Sequence, residues 1–348
     1  MLLEQLDFIE NVRLLHVGLG GLLGLIFGIA AQISRFCLRR AVAGDQTDRA
    51  SAGAVWLTAL AVAILSFFLA TQFGFIEFSD HRYLSNDIPV LAILLGGTMF
   101  GAGMVLTRGC ISRLTVLGAS GNIRALSVVV LFAIVAHATL KGVLAPFRVA
   151  VGSLTVPSPI GSLAEAPIVA ALFVALIFAT IFRLVSAGRP RTLHLVLGAI
   201  IGLTPVFGWI GTSTLLFDEF DPLPVQSMAF TLPWSDTLFW TIASSAIPAG
   251  FGVGMIGGVL LGAFLSAALR GEVAWQGFEN SAQTMRYTSG TVLMGIGGAL
   301  AGGCTVGAGL SGAASLSISA LLALGAIASS AYVVSRVLNA QPALVPAE

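Results

Sequence analysis

Long apolar runs alternate along the chain with short polar interruptions, and the runs set its architecture. No Asp, Glu, Lys or Arg occurs from Ala50 to Ile76, between Asp236 and Arg270, or from Tyr287 to Ser335. About 20 apolar residues in a helix cross a bilayer, so the last run is long enough for two crossings. Apolar residues cover every face of these runs, whereas a transmembrane barrel reads as short alternating segments, so strands are set aside. The pattern predicts nine spans, near residues 14–31, 52–73, 89–107, 122–141, 163–183, 193–213, 237–268, 288–301 and 313–335. Pro248, with glycines around it, predicts a kink or break in the seventh. Short extra helices are expected after spans one, three, six and eight. The expected fold class is therefore all-α, a polytopic membrane protein with short re-entrant half-helices.

Two blocks of sequence repeat. GAGMVLTRGCISRLTVLG at 101–118 aligns with GIGGALAGGCTVGAGLSG at 295–312, so that GxGxxLxxGC recurs with Gly109 on Gly303 and Cys110 on Cys304. A weaker match sets GLIFG, with Gly24 and Gly28, against GAIIG, with Gly198 and Gly202. Span five lies between the two halves as a single odd crossing, so spans one to four and six to nine run in opposite senses through the membrane. This is the inverted-repeat logic of transporters, in a 4+1+4 arrangement. It divides the chain into a first repeat at 1–162, a linking span and loop at 163–192, and a second, inverted repeat at 193–348. The paired glycines of the weaker match suit close helix packing. The clusters from Thr107 to Arg113 and from Gly302 to Gly312 are too polar and glycine-rich for lipid-facing helix, so the backbone is expected to break there. Broken backbone at membrane depth persists only where protein buries it or where it lines a cavity. Half-helices starting after such breaks aim N–H groups at that cavity, which suits an anion.

Composition sharpens the class. Of 348 residues 57% are hydrophobic and 9% charged, which excludes an ordinary soluble domain. A formal net charge of +1, with the basic residues scattered over many loops, excludes a nucleic-acid partner and leaves membrane lipid as the expected surround. Arg35, Arg39, Arg40 and Arg49 follow span one, Arg183, Arg189 and Arg191 follow span five, Arg270 and Arg286 precede span eight, and Arg336 follows span nine. These loops read as cytoplasmic. Glu77, Asp80, Asp87, Asp218, Glu219, Asp221 and Asp236 fall on the other side, giving an outer N-terminus and an inner C-terminus. Lys141 and Arg148 are the exceptions, set to snorkel or to attract anions. Glu4, Asp7 and Glu10 precede the first apolar run, which therefore lacks the basic start of a secretory signal and is expected to remain as a span.

The candidate chemistry is thiol chemistry. Cys37, Cys110 and Cys304 are too few and too far apart for a zinc site or a disulfide framework. Paired carboxylates, a metal-ligand cluster, a nucleotide-cradling loop and a nucleophile–base pair do not occur, so no enzyme activity, metal or cofactor is expected. Cys110 and Cys304 follow equivalent breaks in opposed halves and can face one central axis. A thiol is a weak donor that can hold a sulfur-bearing anion and still release it, whereas a thiolate would attack or bind metal. Cys37 by itself reads as a small buried hydrophobe. Arg35 beside it reads as a topology signal, while Arg108 and Arg113 around Cys110 are ionisable groups at a membrane break and hence functional candidates. His137 and Lys141 read as capping and snorkelling groups. Three readings remain on these grounds: a transporter of a small anion, a membrane sulfurtransferase or redox protein working through a cysteine persulfide or disulfide, and an anchor for a partner.

RFC at 35–37, FGAGMVLTRGC at 100–110, GNIRAL at 121–126 and GIGGALAGGCTVGAGLSG at 295–312 resemble the YeeE/YedE sulfur-transport family over nearly the whole chain. The resemblance implies a bacterial inner-membrane protein shaped as an hourglass with a thiol-lined waist. It implies uptake of thiosulfate, with Cys37, Cys110 and Cys304 as contacting residues and the adjoining Gly109 and Gly303 forming the breaks. A small cytoplasmic sulfur-carrier protein is the implied receiver. The approach to Cys110 departs from the approach to Cys304, being Thr107-Arg108-Gly109 instead of Ala301-Gly302-Gly303. That change adds positive charge and keeps an anion as the expected substrate, with another oxyanion or a selenium species as the alternative.

Overall fold

A computed structural model describes residues 2–76, 81, 83–216 and 223–340. Glu77, Asp80, Asp218, Glu219 and Asp221, used above for orientation, lie outside the described residues. Thirteen α-helices follow in order: α1 Leu2–Ser34, α2 Leu38–Ala43, α3 Gln46–Gln72, α4 Val90–Leu106, α5 Ile111–Ala119, α6 Ile123–Leu140, α7 Ala145–Gly152, α8 Pro167–Gly188, α9 Thr192–Ile210, α10 Thr231–Ile242, α11 Phe251–Leu269, α12 Ser281–Leu300 and α13 Ile318–Ala340. Two π-helical turns, Gly211–Leu215 and Gly307–Gly312, continue α9 and precede α13. A two-residue antiparallel pair, Asp87–Ile88 with Val156–Pro157, is the strand structure among the described residues.

Eight helical segments among the described residues are long and apolar enough to cross a membrane. The predicted eighth span corresponds to α12, whose 20 residues would reach about 30 Å. It is the most polar of the long helices because it is an interior one, packed against α4 and α6 with Gln283, Gly290 and Thr291 buried. α8 is the opposite case: Ile177 is its single buried residue, Ala170, Phe173, Val174 and Ile181 are part-buried against the core, and the rest of its apolar surface faces outward, as a helix at the lipid boundary requires. The predicted seventh span, 237–268, divides. α10 ends at Ile242 and α11 begins at Phe251, with Pro248 and Gly250 in the gap, so the crossing helix is α11 and α10 is a separate element.

Helix starts follow local chemistry. The Asn122 side chain accepts the Ala125 N–H at 2.9 Å at the start of α6, and Asn280 accepts that of Gln283 at 2.8 Å at the start of α12. Ser162 and Glu165 form a capping box just ahead of α8.

Packing partners exchange in pairs. α1 packs on α11 as α9 packs on α3; α4 on α13 as α12 on α6; α2 on α3 and α13 as α10 on α11 and α6; and α5 on α6 as the turn 307–312 on α13. Small residues make these seams. A Cβ on Gly24 would stand 2.2 Å from the Met255 carbonyl oxygen, and one on Gly202 2.2 Å from that of Ala59, so both seams bring backbone against backbone. The packing role of Gly24, Gly28, Gly198 and Gly202 accounts for their spacing.

Lys141 and His137 belong to this scaffold. Lys141 Nζ pairs with Asp236 Oδ1 at 2.8 Å and His137 Nδ1 meets Ser235 Oγ at 3.0 Å, which ties α6 to α10.

Candidate functional site

Each of the three thiols sits two residues after a helix-ending residue in the left-handed region. Arg35 (φ 53°) ends α1 before Cys37, Arg108 (φ 57°) ends α4 before Cys110, and Gly302 (φ 73°) ends α12 before Cys304. Left-handed residues close helices by returning their last carbonyls to nearby N–H groups, and they turn the chain sharply. Here Phe36 N–H reaches the Ala31 carbonyl at 3.2 Å and Arg108 N–H that of Val105 at 3.2 Å. The turn leaves Cys37 and Cys110 at the N-caps of α2 and α5, in extended conformation, with no side-chain capping bond. The breaks predicted at Gly109-Cys110 and Gly303-Cys304 are thus present, and Cys37 occupies a third of the same kind.

The thiols converge. Cys37, Cys110 and Cys304 are 3%, 1% and 0% exposed, within one core cluster. The Cys37 and Cys110 side chains adjoin, and Cys110 also lies beside Thr305, the neighbour of Cys304. Cys110 shares a 3.1 Å hydrogen bond with Ser112, and Cys304 Sγ accepts the Gly307 N–H at 3.4 Å. Phe27, Phe36 and Phe230 pack close by in the same core, with ring centroids of Phe27 and Phe230 at 5.4 Å.

Two cavities approach this plug from opposite ends of it. One, of about 450 Å³, is lined by Gly302, two residues from Cys304, together with Tyr83, Ser153, Ser319 and Arg148. Arg148 is its single ionised lining residue among the described residues, and its buried Nε has no hydrogen-bond partner. The other, of about 610 Å³, is lined by Arg113, three residues from Cys110, and balances Arg35, Arg40 and Arg113 against Asp45, Asp48 and Glu272. Within it Arg40 Nε donates to Asp48 Oδ2 at 2.8 Å. Glu272 lies outside the spanning segments, and its hydrogen bond from the Arg270 guanidinium holds its carboxyl below the usual carboxylate range, so it stays ionised at neutral pH. Residues 33–333, which carry all three thiols and both cavities' arginines, match the family described as sulphur transport. The chain belongs to that sulphur transport family. It is 27% identical to the thiosulfate transporter TsuA of Spirochaeta thermophila over 324 residues, covering 87% of this chain and 93% of that one. It is 24% identical to the thiosulfate transporter TsuA of Escherichia coli over 326 residues, covering 84% and 86%.

Within this sulphur transport protein the expected site residues divide into two sets. Cys37, Cys110, Cys304 and the breaks at Gly109 and Gly303 come together, and Arg35 and Arg113 line the larger cavity. Arg113 Nη1 also donates to the Ala31 carbonyl at 3.4 Å, near the end of α1. Arg108 is half-buried at the end of α4 and lines neither of the two cavities. Tyr83 is the residue that sequence reading missed. It is 7% exposed, and its hydroxyl lies 3.2 Å from the Gly307 carbonyl oxygen and 3.5 Å from that of Gly302, so it grips both ends of the segment that carries Cys304. Thr305 was also missed. Neither carries a local sequence signal, because each works through residues distant in the chain.

Proposed function

We propose that this protein takes up thiosulfate, or a closely similar small sulfur anion, across a bacterial inner membrane through the plug of Cys37, Cys110 and Cys304. The observation that carries the reading is the convergence of three buried thiols between two cavities, one largely apolar but holding Arg148 and the other rich in charged groups. The anion enters the cavity of Arg148, passes Gly302 to Cys304, moves to Cys110 and Cys37, and leaves through the cavity of Arg35 and Arg113. The N-terminal half of α5 presents its N–H groups beside Cys110, where they favour negative charge. The loops bearing Arg35, Arg40 and Arg49 face the cytoplasm, and the receiver there is a small sulfur-carrier protein.

The two cavities differ in charge in the sense that import needs. A cavity whose described lining holds an arginine and no carboxylate captures an anion; three arginines set against three carboxylates do not retain one. The halves at 1–162 and 193–348, joined by 163–192, are inverted repeats related by a two-fold axis through the thiols. Exchange of packing partners between α1 and α9, α3 and α11, α4 and α12, and α6 and α13 supports this. In that relation Phe230, at the N-cap of α10, is the counterpart of Cys37. No covalent step is needed, since a thiol S–H donates to the anion without becoming a thiolate.

The test is uptake of labelled thiosulfate into proteoliposomes, with unlabelled thiosulfate, sulfite, sulfate and selenium oxyanions as competitors. Competition by thiosulfate above the others supports the reading, and absence of uptake sinks it. Mass spectrometry after substrate exposure separates it from a sulfurtransferase: a sulfur adduct on any cysteine favours the covalent alternative.

Two substitutions refine the route. Arg148→Gln is expected to raise KM for uptake about tenfold with kcat little changed, because a hydrogen bond to an ion made only at entry contributes ~1.5 kcal/mol. An unchanged KM removes Arg148 from the route. Arg108→Gly keeps the left-handed turn, as Gly302 does in the other half, and is expected to leave uptake within about twofold of wild type, since a left-handed non-glycine residue itself costs ~1 kcal/mol. A large fall instead assigns the Arg108 charge to the pathway.

A further inference from the structure

A third cavity lies apart from the route. Arg49 and Arg336 face it together, with Tyr332, Ser335, Asn339 and Ala340 completing a wall around about 280 Å³. Arg49 stands in the first turns of α3 and Arg336 in the last turns of α13, and both helices are long and apolar enough to span a membrane. Their ends therefore lie at the boundary between hydrocarbon and water, the depth of lipid headgroups.

Neither arginine has an acidic partner among the described residues. Arg49 Nη2 donates to the Gly44 carbonyl at 2.9 Å, while its buried Nε has no hydrogen-bond partner. The Arg336 guanidinium carbon stands 5.2 Å from the centroid of the Tyr332 ring, which orients it without neutralising it. No carboxylate among the described residues lines the cavity, and the serine and asparagine supply further polar groups. Two planar guanidinium forks without a counter-charge match the oxygens of a phosphate group. On α13 just ahead of this pair, Tyr332 and Val333 are exposed, and Val337 follows it, an apolar face suited to acyl chains below a headgroup.

We propose that this cavity binds the phosphodiester of an anionic phospholipid, with Arg49 and Arg336 as its ligands. The site is separate from the thiol route and stands whether or not thiosulfate is the cargo. It joins the start of α3 to the end of α13, two helices that otherwise meet chiefly through α2 and the turn before α13.

The experiment uses the full chain purified in detergent and offered phosphatidylglycerol, phosphatidylcholine or inorganic phosphate. Binding is read by native mass spectrometry and by the rise in melting temperature. Phosphatidylglycerol is expected to bind and stabilise, and the other two are not. Each arginine removed should weaken binding about fivefold, so Arg49→Gln with Arg336→Gln weakens it about twenty-fivefold. Arg336 is exposed, so Arg336→Gln alone folds and keeps the test available if the double variant does not. Equal retention of phosphatidylglycerol by wild type and Arg336→Gln overturns the proposal. So does equal binding of phosphatidylcholine, or equal stabilisation by inorganic phosphate, which would make this a site for free anions.

Discussion

Proteoliposomes carrying Cys304→Ala are expected to take up labelled thiosulfate at least about tenfold more slowly than wild type, and Cys110→Ala likewise. A hydrogen bond to an ion contributes ~1.5–3 kcal/mol, so losing one at the narrowest point slows passage about ten- to a hundredfold. The reason lies in the plug. Cys110 and Cys304 are buried among aliphatic and aromatic side chains, and an anion that leaves water to enter such a place has few donors to replace its hydration. Alanine keeps the fold, since each thiol packs as a small hydrophobe, but it removes the S–H. Cys304→Ser separates donation from softness: its hydroxyl is a stronger donor and holds the anion longer, so its uptake should fall between wild type and alanine. Melting temperatures near wild type in all three variants would assign the losses to transport. Wild-type rates in both alanine variants would take the thiols out of the mechanism.

The parts of this site that sequence reading recovered are those with local signatures. The GxGxxLxxGC repeat marks two breaks because glycine clusters and polarity at membrane depth conflict with a continuous helix. Cys37 has no such repeat, and its membership depends on the turn at Arg35, which sends the chain into α2 against α3 and α13. Arg35 and Arg108 drew attention as charges, yet their backbones also end α1 and α4 in the manner of Gly302. A positive φ at arginine is not written in composition. The run after Asp236 looked like one long crossing because apolarity alone does not separate a lipid-facing helix from one buried on its partners. Pro248 signalled the division, but the ties of Ser235 and Asp236 to α6 place α10 beside that helix, and those ties join residues 98 and 95 positions apart. Tyr83 is more distant still, 219 and 224 positions from the carbonyls its hydroxyl meets. Contacts of that range come from packing, which periodicity cannot foresee.

Gly258→Ala is expected to destabilise the protein by about 3 kcal/mol or more, at the top of the range for overpacking, and to abolish uptake in whatever fraction still folds. A Cβ at that position would lie 2.1 Å from the Gly21 carbonyl oxygen and 2.9 Å from the Leu25 nitrogen. Both are backbone atoms, so no side chain can rotate aside and α1 must move away from α11. The same holds along the seam, where Gly20, Gly24 and Gly28 of α1 alternate with Gly254, Gly258 and Gly262 of α11, each within 2.4 Å of an opposing carbonyl oxygen once a Cβ is added. In lipid there is little hydrophobic drive to hold two helices together, so close van der Waals contact carries the association, and a separation forfeits it along the whole seam. Gly257→Ala is the control, because a Cβ there meets nothing within 4 Å. Replacing a helical glycine by alanine at an open position should be neutral or stabilise by up to ~1 kcal/mol. Melting temperature and the monodisperse fraction in detergent give the comparison, and equal values for the two variants would refute the seam as a source of stability. The functional loss follows from chain order. α1 ends at Ser34, Arg35 turns the chain, and Cys37 comes next, so the α1–α11 distance sets where the first thiol stands against Cys110.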